Sequence, residues 1–191
     1  MNVDERVVLW LNQWAGRWSV VDSAAEVLVS DYFVPVAAAL CLVALWFTGD
    51  ADRRDSHQRA VIRALATVGF ASWVVLILND HYFRPRPFVE HDLTMLFYPP
   101  TDSSFPAHPA AVGFALAAGT WGGNRKAGVV VYVLAALWGA SRVFAGVFYP
   151  SDILVGAAIG VVVSHAVAVG LRLIEPVPTL VLRGARRLHL A

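Results

Sequence analysis

The chain has 191 residues, enough for one domain, with 58% apolar and only 15% charged residues, and its mean hydropathy is +0.59. A soluble domain sits nearer half apolar and a quarter charged, so an ordinary soluble fold is excluded and a polytopic membrane protein is expected. The net charge of +1 selects no partner, nothing points to nucleic acid, and the single cysteine, Cys41, has no second thiol to pair with.

In chain order, MNVDER carries two acids before the first arginine and no long apolar core behind it, so no cleavable signal is expected and the hydrophobic segments must direct insertion. Residues 3–18 bring Trp10, Trp14 and Trp18 at helical spacing. Tryptophan favours the membrane interface, so this stretch is either an interfacial helix or a short sixth span. Five segments have about the length that a bilayer core requires: 32–48, with a helical extension from Ser23 as an option, then 60–78, 105–121, 127–147 and 153–174. The expected architecture is all-α, a bundle of five or six transmembrane helices. Residues 1–22 are its interfacial or first segment, 23–174 its core and 175–191 a basic tail. Gly156 and Gly160, and Gly113 with Ala117 and the Ala115–Ala118 run, offer flat faces for close helix packing.

Arg53, Arg54, Arg59, Arg63, Arg125, Lys126, Arg172, Arg183, Arg186 and Arg187 fall on one side by alternation of spans. The positive-inside rule makes that side, with the C-terminus, cytoplasmic. Arg84, Arg86 and Arg142 then face outside, in a bacterium the periplasm of the inner membrane, and need an explanation other than topology.

Three polar stretches meet on that outer side: NDHYFRPRPFVEHD (79–92), PPTDSSFPAHP (99–109) and SRVFAGVFYPSD (141–152). Arg84 and Arg86 each precede proline, which stiffens the loop and keeps both out of helix. Their rigid guanidinium forks suit phosphate, the alternative being snorkelling toward lipid headgroups. Asp102, Ser103 and Ser104 precede a span that starts near Pro106 or Pro109, where they either cap the helix or help to form an anion site. Arg142, at the end of the fourth span, needs a partner, with Asp152 or a bound anion as candidates. His81 and His91 either face a phosphate or are solvated, His165 sits mid-span beside Ser164, and no metal spacing stands out.

Taken together these stretches resemble the membrane branch of the type 2 phosphatidic acid phosphatase superfamily, related to vanadium haloperoxidases and nearest its bacterial undecaprenyl-diphosphate phosphatases. The family's K-x6-R-P corresponds to Asn79-x6-Arg86-Pro87, its P-S-G-H to the region of Pro106-Ala107-His108-Pro109, and its S-R-x5-H-x3-D to Ser141-Arg142-x5-Phe148-x3-Asp152. The resemblance implies a phosphohistidine mechanism, with the third-motif histidine as nucleophile oriented by the aspartate, the second-motif histidine as acid, and lysine and arginines around the phosphoryl group. No cofactor or metal is implied.

This chain departs from the pattern where the chemistry happens. Phe148 stands at the nucleophile position and has no lone pair. Asn79 replaces the lysine. Without a gap Pro109 falls at the second histidine and His108 one place early, whereas a one-residue deletion would align His108 itself. The phosphate cradle expected to remain is Asn79, Arg86, Ser103, Ser104 and Arg142, with Arg84 and His81 as accessory groups and His108 and Asp152 as the residual catalytic candidates. Three readings follow: a non-hydrolytic protein that binds a polyprenyl or glycerolipid phosphate or diphosphate among membrane lipids, an active phosphatase with rewired residues, or a structural subunit with a vestigial pocket.

Overall fold

The computed structural model describes residues 1–188, apart from the side chains of residues 51 and 52, and the last three residues of the basic tail lie outside the described residues. The described secondary structure is entirely helical: α1 (Val3–Asn12), α2 (Ser19–Val29), α3 (Phe33–Phe47), α4 (Ala51–His81), α5 (Pro87–Glu90), α6 (His108–Trp121), α7 (Arg125–Phe144), α8 (Pro150–Leu173) and α9 (Pro176–Arg187).

Local chemistry sets several of the boundaries. Asn2 and Glu5 form a reciprocal capping box that starts α1. Its ten residues extend about 15 Å, too short to cross a bilayer. Ser30 makes the turn between α2 and α3, its hydroxyl donating to the Val27 carbonyl (2.7 Å) and accepting from the Phe33 N–H (3.2 Å). The two helices are bent by 57° there. Asn124 caps α7 through the Ala127 N–H at 3.0 Å.

Among the described residues three helices are long and apolar enough to cross a membrane: Arg53–His81, Arg125–Phe144 and Pro150–Leu173, with α2 and α3 a fourth if they form one broken span. The expected segment 105–121 is the main departure. Its helix begins only at His108 and has 14 residues, about 21 Å, short of a bilayer core. The preceding residues stay non-helical because they build the loop described below.

Shortness does not make α6 peripheral. It packs against α4, α7 and α8, and most of its alanines and glycines are buried. The contacts are made at backbone level. A Cβ on Gly119 would lie 2.7 Å from the Ala64 Cβ of α4, one on Gly113 would lie 3.0 Å from the Ala135 Cβ of α7, and one on Gly160 would lie 2.5 Å from the Ala111 carbonyl oxygen. A Cβ on Gly156 would overlap the carbonyl of Ala107. The G-x-x-x-G step of α8 is therefore the groove that receives α6. Beyond α8, α9 buries Pro178 and Leu182 and is tied to α4 by Arg59–Glu175 (2.8 Å) and Arg186–Asp55 (2.9 Å).

Candidate functional site

The three polar stretches converge at the end of the bundle where α4 and α7 finish and α6 and α8 begin. Pro85 and Pro87 keep the intervening chain extended, with Arg86 at φ −80 and ψ 154. This strand-like segment is stitched to residues 103–105. Ser104 N–H donates to the Arg84 carbonyl at 3.0 Å, the Ser103 hydroxyl accepts from the Arg84 N–H at 3.1 Å, and the Ser104 hydroxyl meets the Pro85 carbonyl at 3.3 Å. The two serines thus fasten loops together. Neither caps α6, whose N-cap is Ala107, and the Ala107 N–H donates to the Asp152 carbonyl at 3.1 Å.

The expected pairing of Arg142 with Asp152 does not occur. Asp152 is fully buried in the first turn of α8, where its carboxylate accepts from Arg84 Nη1 (2.6 Å) and from the Tyr149 N–H (3.0 Å). Arg84 in turn holds Asp4 of α1 at 3.0 Å, bonds Ser151 Oγ at 2.8 Å and lies 4.1 Å from the Tyr149 ring centroid. Arg84 is a clamp between α1 and α8 and does not line the cavity. Arg142, at the end of α7, instead forms an ion pair with Asp31 at the α2–α3 turn, and its guanidinium lies over Phe97 (4.3 Å) and Trp138 (5.5 Å). The direction of each helix end decides this: the last turn of α7 faces the α2–α3 corner, while the first turn of α8 faces the 84–87 loop.

Arg86 is buried at 4% exposure. Nε donates to the Asp102 carbonyl (3.0 Å), Nη2 to the Asp102 carboxylate (2.8 Å) and Nη1 to the Val147 carbonyl (3.3 Å). Burial pushes this guanidinium below its ordinary value, and the adjacent Asp102 opposes the shift. Its face rests on Phe148, 4.4 Å from the ring centroid, so a cation–π contact fills the place where the resemblance puts the nucleophile.

A cavity of about 370 Å³ opens between these groups, lined among others by Asn79, Arg86, His108, Arg142, Phe148 and Trp138. Ser103, Asp31 and Asp102 also line it; Ser104, Arg84, His81 and Asp152 do not. His81 bonds the Ile77 carbonyl of its own helix at 2.8 Å and is exposed. His165 does the same with Val161 at 2.9 Å. His108 Nε2 meets Ser72 Oγ at 3.0 Å. Two polar atoms in the cavity wall, Asn79 Oδ1 and Arg142 Nε, are buried without a hydrogen-bond partner among the described residues. Buried groups of this kind are normally satisfied, which makes them natural contacts for an occupant.

Sequence reasoning missed Asp31 and the partnership of Asp102. Both carboxylates hold the guanidinia that an anion would need, yet are themselves 44% and 66% exposed. An acid at the head of an apolar run, as in Ser30-Asp31-Tyr32-Phe33, carries the same demand for a partner as Arg142 and could have been read from it. The arrangement can recognise an anion through two forks, an amide and an imidazole, provided the carboxylates give way.

Residues 60–173 match the PAP2 superfamily. Over 165 residues the chain is 31% identical to undecaprenyl-diphosphatase BcrC of Bacillus subtilis (strain 168), covering 86% of this chain and 82% of that one. It is 35% identical over 125 residues to the putative undecaprenyl-diphosphatase YbjG of Escherichia coli (strain K12), covering 64% and 61%. In fold it is similar to LpxE of Aquifex aeolicus, with a TM-score of 0.65, 22% identity and coverage of 88% and 96%. A PAP2-type phosphatidylglycerolphosphate phosphatase from Bacillus subtilis gives 0.61, 20%, 86% and 82%. With its apolar helices, its fold and the match across residues 60–173, the chain is an integral membrane protein that belongs to the PAP2 superfamily and is related to membrane lipid phosphate phosphatases.

Proposed function

We propose that this protein binds a lipid phosphate or diphosphate, polyprenyl or glycerolipid, at the outer face of the cell membrane and does not hydrolyse it by the phosphohistidine route. The observation that carries this reading is Phe148, 3% exposed and stacked beneath Arg86 at the cavity floor. Phenylalanine cannot attack phosphorus, and loss of a nucleophile leaves only the residual catalysis that binding groups supply. What remains in the cavity is recognition: Arg86, Arg142 and Asn79, two of them with unpartnered polar atoms. The relatives that act on undecaprenyl diphosphate make that lipid the first ligand to try. The orientation rests on the basic residues at the opposite end of the bundle, which the positive-inside rule makes cytoplasmic.

The test is phosphate release from undecaprenyl diphosphate, measured beside lipid binding, on the purified protein. Binding without turnover supports the proposal, and turnover at enzyme-like rates overturns it. Equal binding by wild type and an Arg86→Ala/Arg142→Ala variant would instead favour a vestigial pocket. One observation favours a second reading, an enzyme with rewired chemistry: the imidazole of His108 lines the cavity. In that case His108→Ala abolishes measured turnover. A version that uses Asp152 as base has less support, because its carboxylate is engaged by Arg84 and the Tyr149 N–H.

A further inference from the structure

At the other end of the bundle, among the described residues, the arginines divide into two kinds. Arg53, Arg59 and Arg186 each meet a carboxylate. Arg63 is half-buried between α4 and α6 and forms no ion pair. Its Nε donates to the Gly119 carbonyl at 3.1 Å near the end of α6, which places a cation at the negative end of that helix. Its guanidinium occupies the space where a side chain on Gly122 would begin, so the position is built into the fold.

The carbonyls account for one side of Arg63. They do not account for Arg172 of α8, which faces it across the same cleft, close enough for the like charges to repel, and has no carboxylate partner among the described residues. Asp55 and Glu175 line an adjoining cleft that both arginines also border, but they are engaged by Arg59 and Arg186; on the α6 side no carboxylate faces the two guanidinia, which leaves that side to a third party. The cleft between them has a volume of about 510 Å³, and its wall includes Trp121, Tyr132, Ser164 and His165, with no acidic residue. His165 bonds Val161 through Nδ1, which leaves Nε2 free to turn to an occupant. Trp121 and Val169, both well exposed, mark its rim as open to the bilayer side. Basic pockets between membrane helices are suited to lipid phosphate groups, which guanidinium forks bind bidentately.

We propose that this cleft is a second phosphate site, separate from the Arg86–Arg142 cavity, which holds the phosphate of an anionic membrane lipid between Arg63 and Arg172. The occupant bridges α4, α6 and α8 and neutralises the pair. The same chemistry would accept a free phosphate anion, so the test has an arm for each source.

The full-length protein is purified in a neutral detergent, and its thermal midpoint is followed on adding phosphatidylglycerol, phosphatidylcholine or inorganic phosphate. Arg63 is unsuitable as the variant because it packs at the end of α6, so Arg172→Glu is used, with Arg183→Glu on the exposed face of α9 as a control of equal charge change. Phosphatidylglycerol is expected to raise the midpoint and phosphatidylcholine to leave it unmoved. Arg172→Glu should weaken the apparent affinity about tenfold while Arg183→Glu preserves it. An equal shift with inorganic phosphate, abolished by Arg172→Glu, supports the site and assigns it to the free anion. The proposal is overturned if no ligand shifts the midpoint or if Arg172→Glu responds as wild type. It is also overturned if both glutamate variants weaken together, which is general attraction to the basic end, or if the effect is lost in Arg142→Gln, which places binding at the other end.

Discussion

Replacing Asp31 with asparagine should move stability and ligand affinity in opposite directions. The side chain of Arg142 is 4% exposed and its only carboxylate among the described residues is Asp31, itself 44% exposed. At contact distance and an effective dielectric constant of 20 the bare attraction is about 4 kcal/mol. The exposed side of Asp31 is screened by water, which brings the net value of the pair to about 1 kcal/mol. Asp31→Asn keeps a hydrogen-bonding amide and removes this attraction, so the unliganded protein should lose about 1 kcal/mol. A lipid phosphate arriving at Arg142 must displace the Asp31 carboxylate and then sit beside it. The variant removes that competition, so affinity should rise about fivefold, the factor that about 1 kcal/mol represents. The assay is a titration of undecaprenyl phosphate in detergent against the purified variant and wild type, with thermal midpoints recorded without ligand. A fall in affinity together with the fall in stability would refute the reasoning, since it would mean that Asp31 supports the ligand and does not compete with it.

Four further outcomes follow from the geometry. Phe148→His alone should leave phosphate release at background, because Pro109 and Asn79 still stand at two other motif positions and the Asp152 carboxylate is occupied by Arg84; turnover restored by this one change would show that the rest of the site is intact. Arg84→Ala leaves buried Asp152 without its counter-ion and should destabilise by about 3 kcal/mol, with partial recovery in Arg84→Ala/Asp152→Asn, read as thermal midpoints. Gly160→Leu forces a side chain into the Ala111 carbonyl and should prevent accumulation of folded protein, measured by size-exclusion profile after detergent extraction. Burial tends to raise the Asp4 carboxyl, but hydrogen bonds from Ser151 and Arg84 outweigh it and hold the group below its ordinary value. Its contribution is therefore complete above about pH 4 and lost as pH falls through the depressed value, so the acid-side drop in midpoint should be shallower in Asp4→Asn.

Much of this architecture could be read from the chain. The apolar runs marked α3, α4, α7 and α8, and the polar stretches 79–92, 99–109 and 141–152 do meet at one end of the bundle. What failed was pairing. Arg142 and Asp152 are ten positions apart, and sequence proximity suggested a bond between them. The turn of the chain at residues 145–149 points them to different neighbours, Asp31 and Arg84, far away in the chain. The 105–121 run starts its helix later than its apolar pattern for a related reason. Its first three residues are apolar enough for a span, but Ser103 and Ser104 hold the chain against the 82–85 segment and delay the helix to His108. Periodicity reports the face of a helix. It does not report which distant backbone group claims the residues before it.

Asp152 has a consequence for how such chains are classified. The family resemblance gives that aspartate the task of orienting a histidine, yet here Phe148 stands at the histidine position and the carboxylate is the buried counter-ion of Arg84, which joins α1 and the 84–87 loop to α8. An acid with this second occupation would persist after its catalytic partner was gone, because removing it would cost the assembly of the bundle end. On the reading proposed above, the motif aspartate is a record of construction, and an inventory of motif residues that counts it toward activity would score a scaffold part as chemistry.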